Sequence, residues 1–212
     1  MSHSAAESPS VETPFVESTA PRRPGRNTAQ DIALIGVFAA LIAVLAFAPP
    51  IPVGNFGVPI TLQTLGVSLA GLVLGPWRGA AAAGLYVALG LLGLPIFAGF
   101  VGGFGVLAGP SAGYLLAFPL MALVTGFIAR AVLRRGPVRW RVPLLFLAAI
   151  AGSILVNHPM GILGMSINLQ VTLGEAFLFD VVFWPGDIVK SLVAAGAAAL
   201  VHRAAPWILV RG

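Results

Sequence analysis

Two ionisable residues near the C-terminus have the types and the spacing of a polar binding site. Asp187 and Lys190 are three residues apart, so both would lie on one face of a helix. A charged side chain in apolar surroundings costs a few kcal/mol, and such groups therefore pair or face a hydrated cavity. We expect this pair to face a cavity and bind a polar ligand, with a simple mutual ion pair as the alternative. Asp180, slightly earlier in the chain, is expected to be solvated at an interface.

A second polar group follows Pro59. A proline suits the first turn of a helix, and the turn that begins here carries Thr61, Gln63 and Thr64. Thr61 can hydrogen-bond to its own helix, whereas the longer amide of Gln63 needs a partner elsewhere. Gln63 is therefore a candidate ligand contact.

The stretch from Pro95 to Gly113 is rich in glycine and contains too many helix breakers for a helix of its own. Glycine allows positive φ and close approach of the backbone to a ligand, and Phe100, Phe104 and Tyr114 offer flat apolar walls. We expect an ordered or re-entrant loop that forms a lid over a pocket, with helix packing through small residues as the alternative.

Asn157, His158 and Pro159 interrupt a later apolar run. A proline at this position kinks a helix, and Asn157 can then face a pocket. A single histidine without a second ligand at metal spacing predicts no metal site. His158 is expected to satisfy a local hydrogen bond, and no other cofactor is indicated.

The composition places all of these residues in a membrane protein. Of 212 residues, 58% are hydrophobic and 9% are charged, against about 25% charged in ordinary soluble domains. From Ile32 to Ala129 the only charged residue is Arg78, which leaves runs longer than the roughly 20 residues that span a bilayer. The net charge of +5 forms no basic face, because the arginines fall at loop ends, so nucleic acid is not an expected partner. The chain has no cysteine, which excludes disulfides and thiolate chemistry.

Six apolar runs separated by proline, glycine or arginine predict an all-α, polytopic protein with six transmembrane helices. Their ranges are 32–48, 60–74, 79–94, 114–133, 143–163 and 185–205. Residues 1–30 are predicted to be a disordered tail, and residues 31–212 the membrane domain. Thr172 and Glu175 have the spacing of a capping box, which predicts a short interfacial helix over 173–183.

The arginines predict the orientation in the membrane. With six crossings, every arginine falls on one side, and the three opposite loops contain no Lys or Arg, which is a strong positive-inside pattern. The arginines are Arg22, Arg23, Arg26, Arg78, Arg130, Arg134, Arg135, Arg139, Arg141, Arg203 and Arg211. Both termini are thus predicted to be cytoplasmic, with loops 49–59, 95–113 and 164–184 outside.

Three motifs, taken together and in order, resemble the BioY family, the biotin-specific substrate-binding (S) components of energy-coupling factor (ECF) transporters. The motifs are Pro59-Ile60-Thr61-Leu62-Gln63-Thr64, the stretches Gly93 to Gly99 and Gly109 to Tyr114, and Phe183-Trp184-Pro185-Gly186-Asp187 with Lys190. The resemblance covers the chain after residue 30. It implies a six-helix protein of the cell membrane that captures a vitamin at the outer face.

The resemblance also implies roles for individual residues. Asp187 and Lys190 would bind the polar ends of biotin, with Gln63 and Tyr114 as further contacts. The remaining candidate binding residues are Thr61, Asn157, Phe97 and Gly99. The implied partners, besides the lipid bilayer, are a transmembrane coupling protein and a pair of cytoplasmic ATPases, and the small-residue stripe with Ala39 and Ala43 would dock on the coupling protein. The chain has no Walker A loop with which to hydrolyse ATP itself.

Two alternatives are open. One is an S component of the same fold for another vitamin, such as thiamine or riboflavin, although a lone acid–base pair favours an anionic, amphipathic ligand. The other is an integral-membrane enzyme that uses Asp187 and His158, which requires the two side chains to lie within reach of each other. The favoured interpretation is a binding protein, not an enzyme.

Overall fold

The computed structural model describes residues 28–54, 57–205 and 208. Most of the predicted tail and four of the eleven arginines, Arg22, Arg23, Arg26 and Arg211, lie outside the described residues. The first helix begins at Thr28, so Thr28, Ala29 and Gln30 belong to this helix and not to the tail.

The described chain is all-helical, as predicted, and contains eight α-helices but no strand beyond two isolated bridges. The helices are α1 (Thr28–Ala46), α2 (Gln63–Leu74), α3 (Pro76–Leu91), α4 (Ala112–Arg135), α5 (Arg141–Gly152), α6 (His158–Leu169), α7 (Leu173–Val181) and α8 (Trp184–Ala204). Short 3-10 turns cover Phe104–Ala108 and Val138–Trp140.

The predicted fifth crossing corresponds to one continuous helix that contains a π-helical turn. α5 and α6 are joined without a break by a π-helical turn, Ser153–Asn157, immediately before His158 and Pro159. A proline inside a helix removes one hydrogen-bond donor and clashes with the preceding turn, and a π turn accommodates both effects. The predicted kink is therefore a widened turn that carries Asn157.

Four helical segments of the described chain are long and apolar enough to span a bilayer. They are Thr28–Ala46, Ala112–Arg135, the continuous Arg141–Leu169 and Trp184–Ala204. α2 and α3 are shorter, with 12 and 16 residues, and Gly75 at φ 80° separates them by a single residue. α2 packs against α1, α3, α4 and α8. Other helices enclose it, which explains its apolar sequence.

The short helix α7 begins with the predicted capping box. The Thr172 hydroxyl oxygen accepts a hydrogen bond from the Glu175 amide at 3.3 Å, and the Thr172 amide donates to the Glu175 carboxylate at 2.9 Å. The bonds from Thr172 hold the pKa of the exposed Glu175 carboxyl below its usual value. This cap fixes where α7 starts and therefore which of its residues turn inward.

The described arginines lie at one end of the helix bundle. They are located near the start of α3, at the end of α4, at the start of α5 and at the end of α8. Because successive long helices run in opposite directions, these four positions fall at the same end of the bundle. Arg78 anchors this end: it forms an ion pair with Asp31 of α1 at 3.0 Å and donates to the Leu74 carbonyl at 3.1 Å.

Candidate functional site

A cavity of about 350 Å³ opens at the end of the bundle opposite the arginines. Its volume falls within the range of roughly 300–1,000 Å³ that is typical of small-molecule sites. Its wall comes from the loops after α1 and α3 and from the starts of α2, α4 and α8. All eight predicted binding residues contribute to it: Thr61, Gln63, Phe97, Gly99, Tyr114, Asn157, Asp187 and Lys190.

Asp187 and Lys190 border the cavity from the first two turns of α8. Lys190 forms an ion pair with Asp187 and also donates to the Thr61 carbonyl at 3.2 Å. The Thr64 hydroxyl donates to the Asp187 carboxylate at 3.2 Å. The two alternatives drawn from the sequence are thus both present, because the residues pair with each other and face the cavity. Their opposite charges balance each other.

Gln63 finds its partner on α3. Its amide nitrogen donates to the Tyr86 hydroxyl oxygen at 2.7 Å, and the Tyr86 hydroxyl donates to the Ile96 carbonyl at 3.1 Å. The Thr61 hydroxyl donates to the Gln63 amide oxygen at 2.9 Å. Tyr86 was not predicted as a site residue, although it is the one polar side chain in the second half of α3.

Asn157 lines the cavity with an unused hydrogen-bonding atom. The residue is 1% exposed, and its amide oxygen has no hydrogen-bond partner among the described residues. A buried acceptor without a donor costs about 1–3 kcal/mol. A ligand N–H group in the cavity would remove that cost.

We expect Asn157→Leu to separate binding from stability. The substitution removes the unpaired oxygen at nearly constant volume, so the melting temperature of the ligand-free protein should stay equal or rise. The affinity for a ligand that donates to this position should fall about tenfold. Thermal unfolding of the purified variant with and without ligand measures both effects, and a variant that loses stability but keeps its affinity would contradict this role.

The glycine-rich loop forms part of the wall through the predicted Phe97, but not through Phe100 and Phe104. Phe97 is buried against Tyr86 with ring centroids 5.5 Å apart. Phe100 and Phe104 are 65% and 66% exposed and do not line the cavity, so the prediction that they form its walls is wrong. Phe100 has a positive φ of 58°, and its ring stacks on the ring of Phe47 with centroids 4.9 Å apart.

Asp180 is not solvated, contrary to the prediction. It is 0% exposed, and its carboxylate accepts hydrogen bonds from the Tyr114 hydroxyl at 2.6 Å and from the Trp184 indole at 2.8 Å. His158 contacts the same carboxylate at 2.8 Å, so its partner is distant in sequence and not local. The reason is that α7 buries the face carrying Ala176 and Asp180, a spacing of four residues that was visible in the sequence.

The predicted docking residues are placed unevenly. Ala39 is 4% exposed and packs inside the bundle, and Ala43 is half-buried. The outward face of α1 instead presents Ala33, Val37 and Ala40.

Membrane-length apolar helices around a cavity that holds an acid–base pair define an integral-membrane protein with room for a small polar molecule. A family model described as the BioY family matches residues 17–207. This chain belongs to the BioY family.

Individual relatives agree with this assignment. The chain is 43% identical over 193 residues to "Biotin transporter BioY" of Rhodobacter capsulatus, covering 86% of this chain and 99% of that protein. It is 38% identical over 175 residues to the protein of the same name from Rhizobium etli, covering 81% and 94%. A crystal structure of the S component for biotin from an ECF-type ABC transporter superimposes with a TM-score of 0.75 at 26% identity, covering 85% of this chain and 95% of that one.

Proposed function

We propose that this chain binds biotin at the outer face of the cell membrane and serves its uptake as the S component of an ECF-type transporter. Relatives named as biotin transporters and the similar biotin S component support this function. The observation that carries it in this structure is the cavity that brings Asp187, Lys190 and Asn157 together, away from the arginine end.

The cavity matches the chemistry of biotin. Biotin has a ureido group with two N–H donors and a carbonyl, an apolar bicycle and a carboxylate on a flexible chain. The carboxylate of Asp187 and the free amide oxygen of Asn157 accept from N–H groups, and the Lys190 ammonium attracts a carboxylate or a carbonyl. Phe97, Phe118 and Phe183 supply apolar walls.

Retention of radiolabelled biotin by the purified protein tests this function. Desthiobiotin, thiamine and riboflavin serve as competitors. Displacement by desthiobiotin alone supports a biotin site, whereas displacement by thiamine or riboflavin favours another vitamin.

His158 Nε2 lies 3.3 Å from Asp187, so the geometric requirement of the enzyme alternative is met. Chemical conversion of retained biotin would support that alternative and argue against a transporter S component.

For the orientation, we propose six crossings with both termini in the cytoplasm and the cavity outside. The seven described arginines at the end opposite the cavity support this arrangement. The chain has no cysteine, so a single introduced cysteine reports the side directly. In intact cells, Ala98→Cys should react with an impermeant maleimide and Arg139→Cys should react only after lysis; the reverse pattern would overturn the orientation.

For the partners, we propose that the coupling protein, which links the S component to the ATPase pair, docks on the outward face of α1. The small side chains of Ala33 and Ala40 allow close approach of a partner helix. Ala40→Trp should therefore reduce co-purification with the coupling protein severalfold and leave biotin affinity unchanged. Leu192→Trp, on the exposed face of α8, is the matched control, and an equal loss with it would refute a specific role of α1.

A further inference from the structure

A chain of buried polar groups continues from the cavity wall into the protein. Asp187 lines the cavity, but His158 and Asp180 behind it do not. His158 Nε2 lies 3.3 Å from an Asp187 oxygen, and His158 Nδ1 lies 2.8 Å from Asp180. All three side chains are buried. The imidazole therefore bridges an acid on α7 and an acid on α8.

The bridge places a requirement on the histidine. A neutral imidazole donates from one ring nitrogen, whereas a protonated one donates from both. Here both nitrogens face carboxylate oxygens, and a protonated imidazole matches both contacts when the two carboxylates are ionised. Two buried carboxylates would then be balanced by His158 and Lys190, as burial of charge requires.

The other groups around the bridge are donors that hold it in place. The Tyr114 hydroxyl from α4 and the Trp184 indole from α8 donate to Asp180. On Asp187, Thr64 donates at 3.2 Å and Ser153 at 3.5 Å, beside Lys190. The Trp184 ring also packs on the imidazole with centroids 5.7 Å apart. Four helices and the π turn thus converge on the two carboxylates.

We propose that His158 and Asp180 are positioning residues that hold the Asp187 carboxylate, and through it Lys190, in the geometry that receives the ligand. The proposal rests on the proposed function, since it concerns the same cavity. Asp180 holds Nδ1 of the imidazole at 2.8 Å, and Nε2 then lies 3.3 Å from an Asp187 oxygen. Neither residue touches the ligand.

Three variants test the proposal by equilibrium binding of biotin to purified protein. His158→Gln leaves the Asp180 carboxylate buried without its cation, so biotin affinity should fall about tenfold or more. Adding Asp180→Asn removes that uncompensated charge, so the double variant should bind biotin more tightly than His158→Gln alone. If each residue contributed only packing, the double variant would be weaker than either single variant, which would overturn the proposal.

His202→Gln is the matched control. His202 is also a buried histidine, but it contacts the Leu72 carbonyl at 2.9 Å at the arginine end, so biotin affinity should not change. If the wild-type protein binds no biotin, the proposed function fails. If it binds and His158→Gln binds equally well, only the positioning role fails.

A spectroscopic measurement covers the case in which His158 variants do not fold. The chain has three histidines, so a His3→Gln, His202→Gln double variant retains His158 alone. Nitrogen-15 NMR of labelled imidazole should show hydrogen on both ring nitrogens. A nitrogen without hydrogen would show that His158 is not a cation between the two carboxylates, which would refute the bridge.

Discussion

Replacing Lys190 with Ala, or Asp187 with Asn, is expected to weaken biotin binding at least about 30-fold. Truncating one member of a buried, hydrogen-bonded charge pair costs roughly 2–5 kcal/mol, because the remaining charge loses its partner. Here each variant also removes a group that borders the cavity. Both changes leave the apolar surface of α8 intact, so membrane insertion should be normal. Titration of labelled biotin against purified protein measures the affinity.

A partly buried ion pair away from the cavity provides the control. An Asp31 carboxylate oxygen lies 3.0 Å from an Arg78 guanidinium nitrogen at the arginine end. Because this pair is far from the cavity, Asp31→Asn should leave biotin affinity within about twofold of wild type. Wild-type affinity in both cavity variants would show that the pair does not bind biotin. A comparable loss in Asp31→Asn would assign the effect to general destabilisation.

Replacing Gly113 with Ala is expected to destabilise the folded protein strongly. A Cβ at this position would overlap the backbone carbonyl of Met160 and lie 3.0 Å from the Cα of Gly164. Because backbone atoms cannot rotate away, α4 and α6 must separate, and overpacking of this kind costs roughly 1–3 kcal/mol or more. Tyr114 is the next residue and lines the cavity, so biotin affinity should fall as well.

Thermal unfolding in detergent measures the effect of Gly113→Ala, and Gly84→Ala is the matched control within a helix. A Cβ on Gly84 meets no atom closer than 4.0 Å, so this variant should be slightly stabilised by the higher helix propensity of alanine, about 0.5–1 kcal/mol. Equal melting temperatures for the two variants would mean that α4 and α6 do not require this close contact.

The helices could be predicted because residues close to each boundary determine where a helix begins and ends. Proline and glycine end or begin helices through missing donors and special φ values, and these effects act over one turn. The capping box of Thr172 and Glu175 predicted the start of α7 for the same reason. The π turn before Pro159 was not predicted, because the way a helix relieves a proline depends on the helices packed around it.

The candidate site was predictable in its members but not in its connections. Asp187, Lys190 and Gln63 stood out because polar side chains in an apolar chain need hydrogen-bond or ion-pair partners. That requirement holds in any fold. Which partner each group takes is decided by residues distant in sequence: Tyr86 serves Gln63, and Asp180 serves His158.

The sequence by itself therefore determined a helical membrane protein with a small set of polar residues that must be satisfied. Only the tertiary structure decided that Asp180 turns inward to face His158 and that Ala39 packs inside the bundle. The physical reason is range: helix formation depends on neighbours within a few residues, whereas burial and hydrogen-bond pairing depend on which helix faces lie against each other.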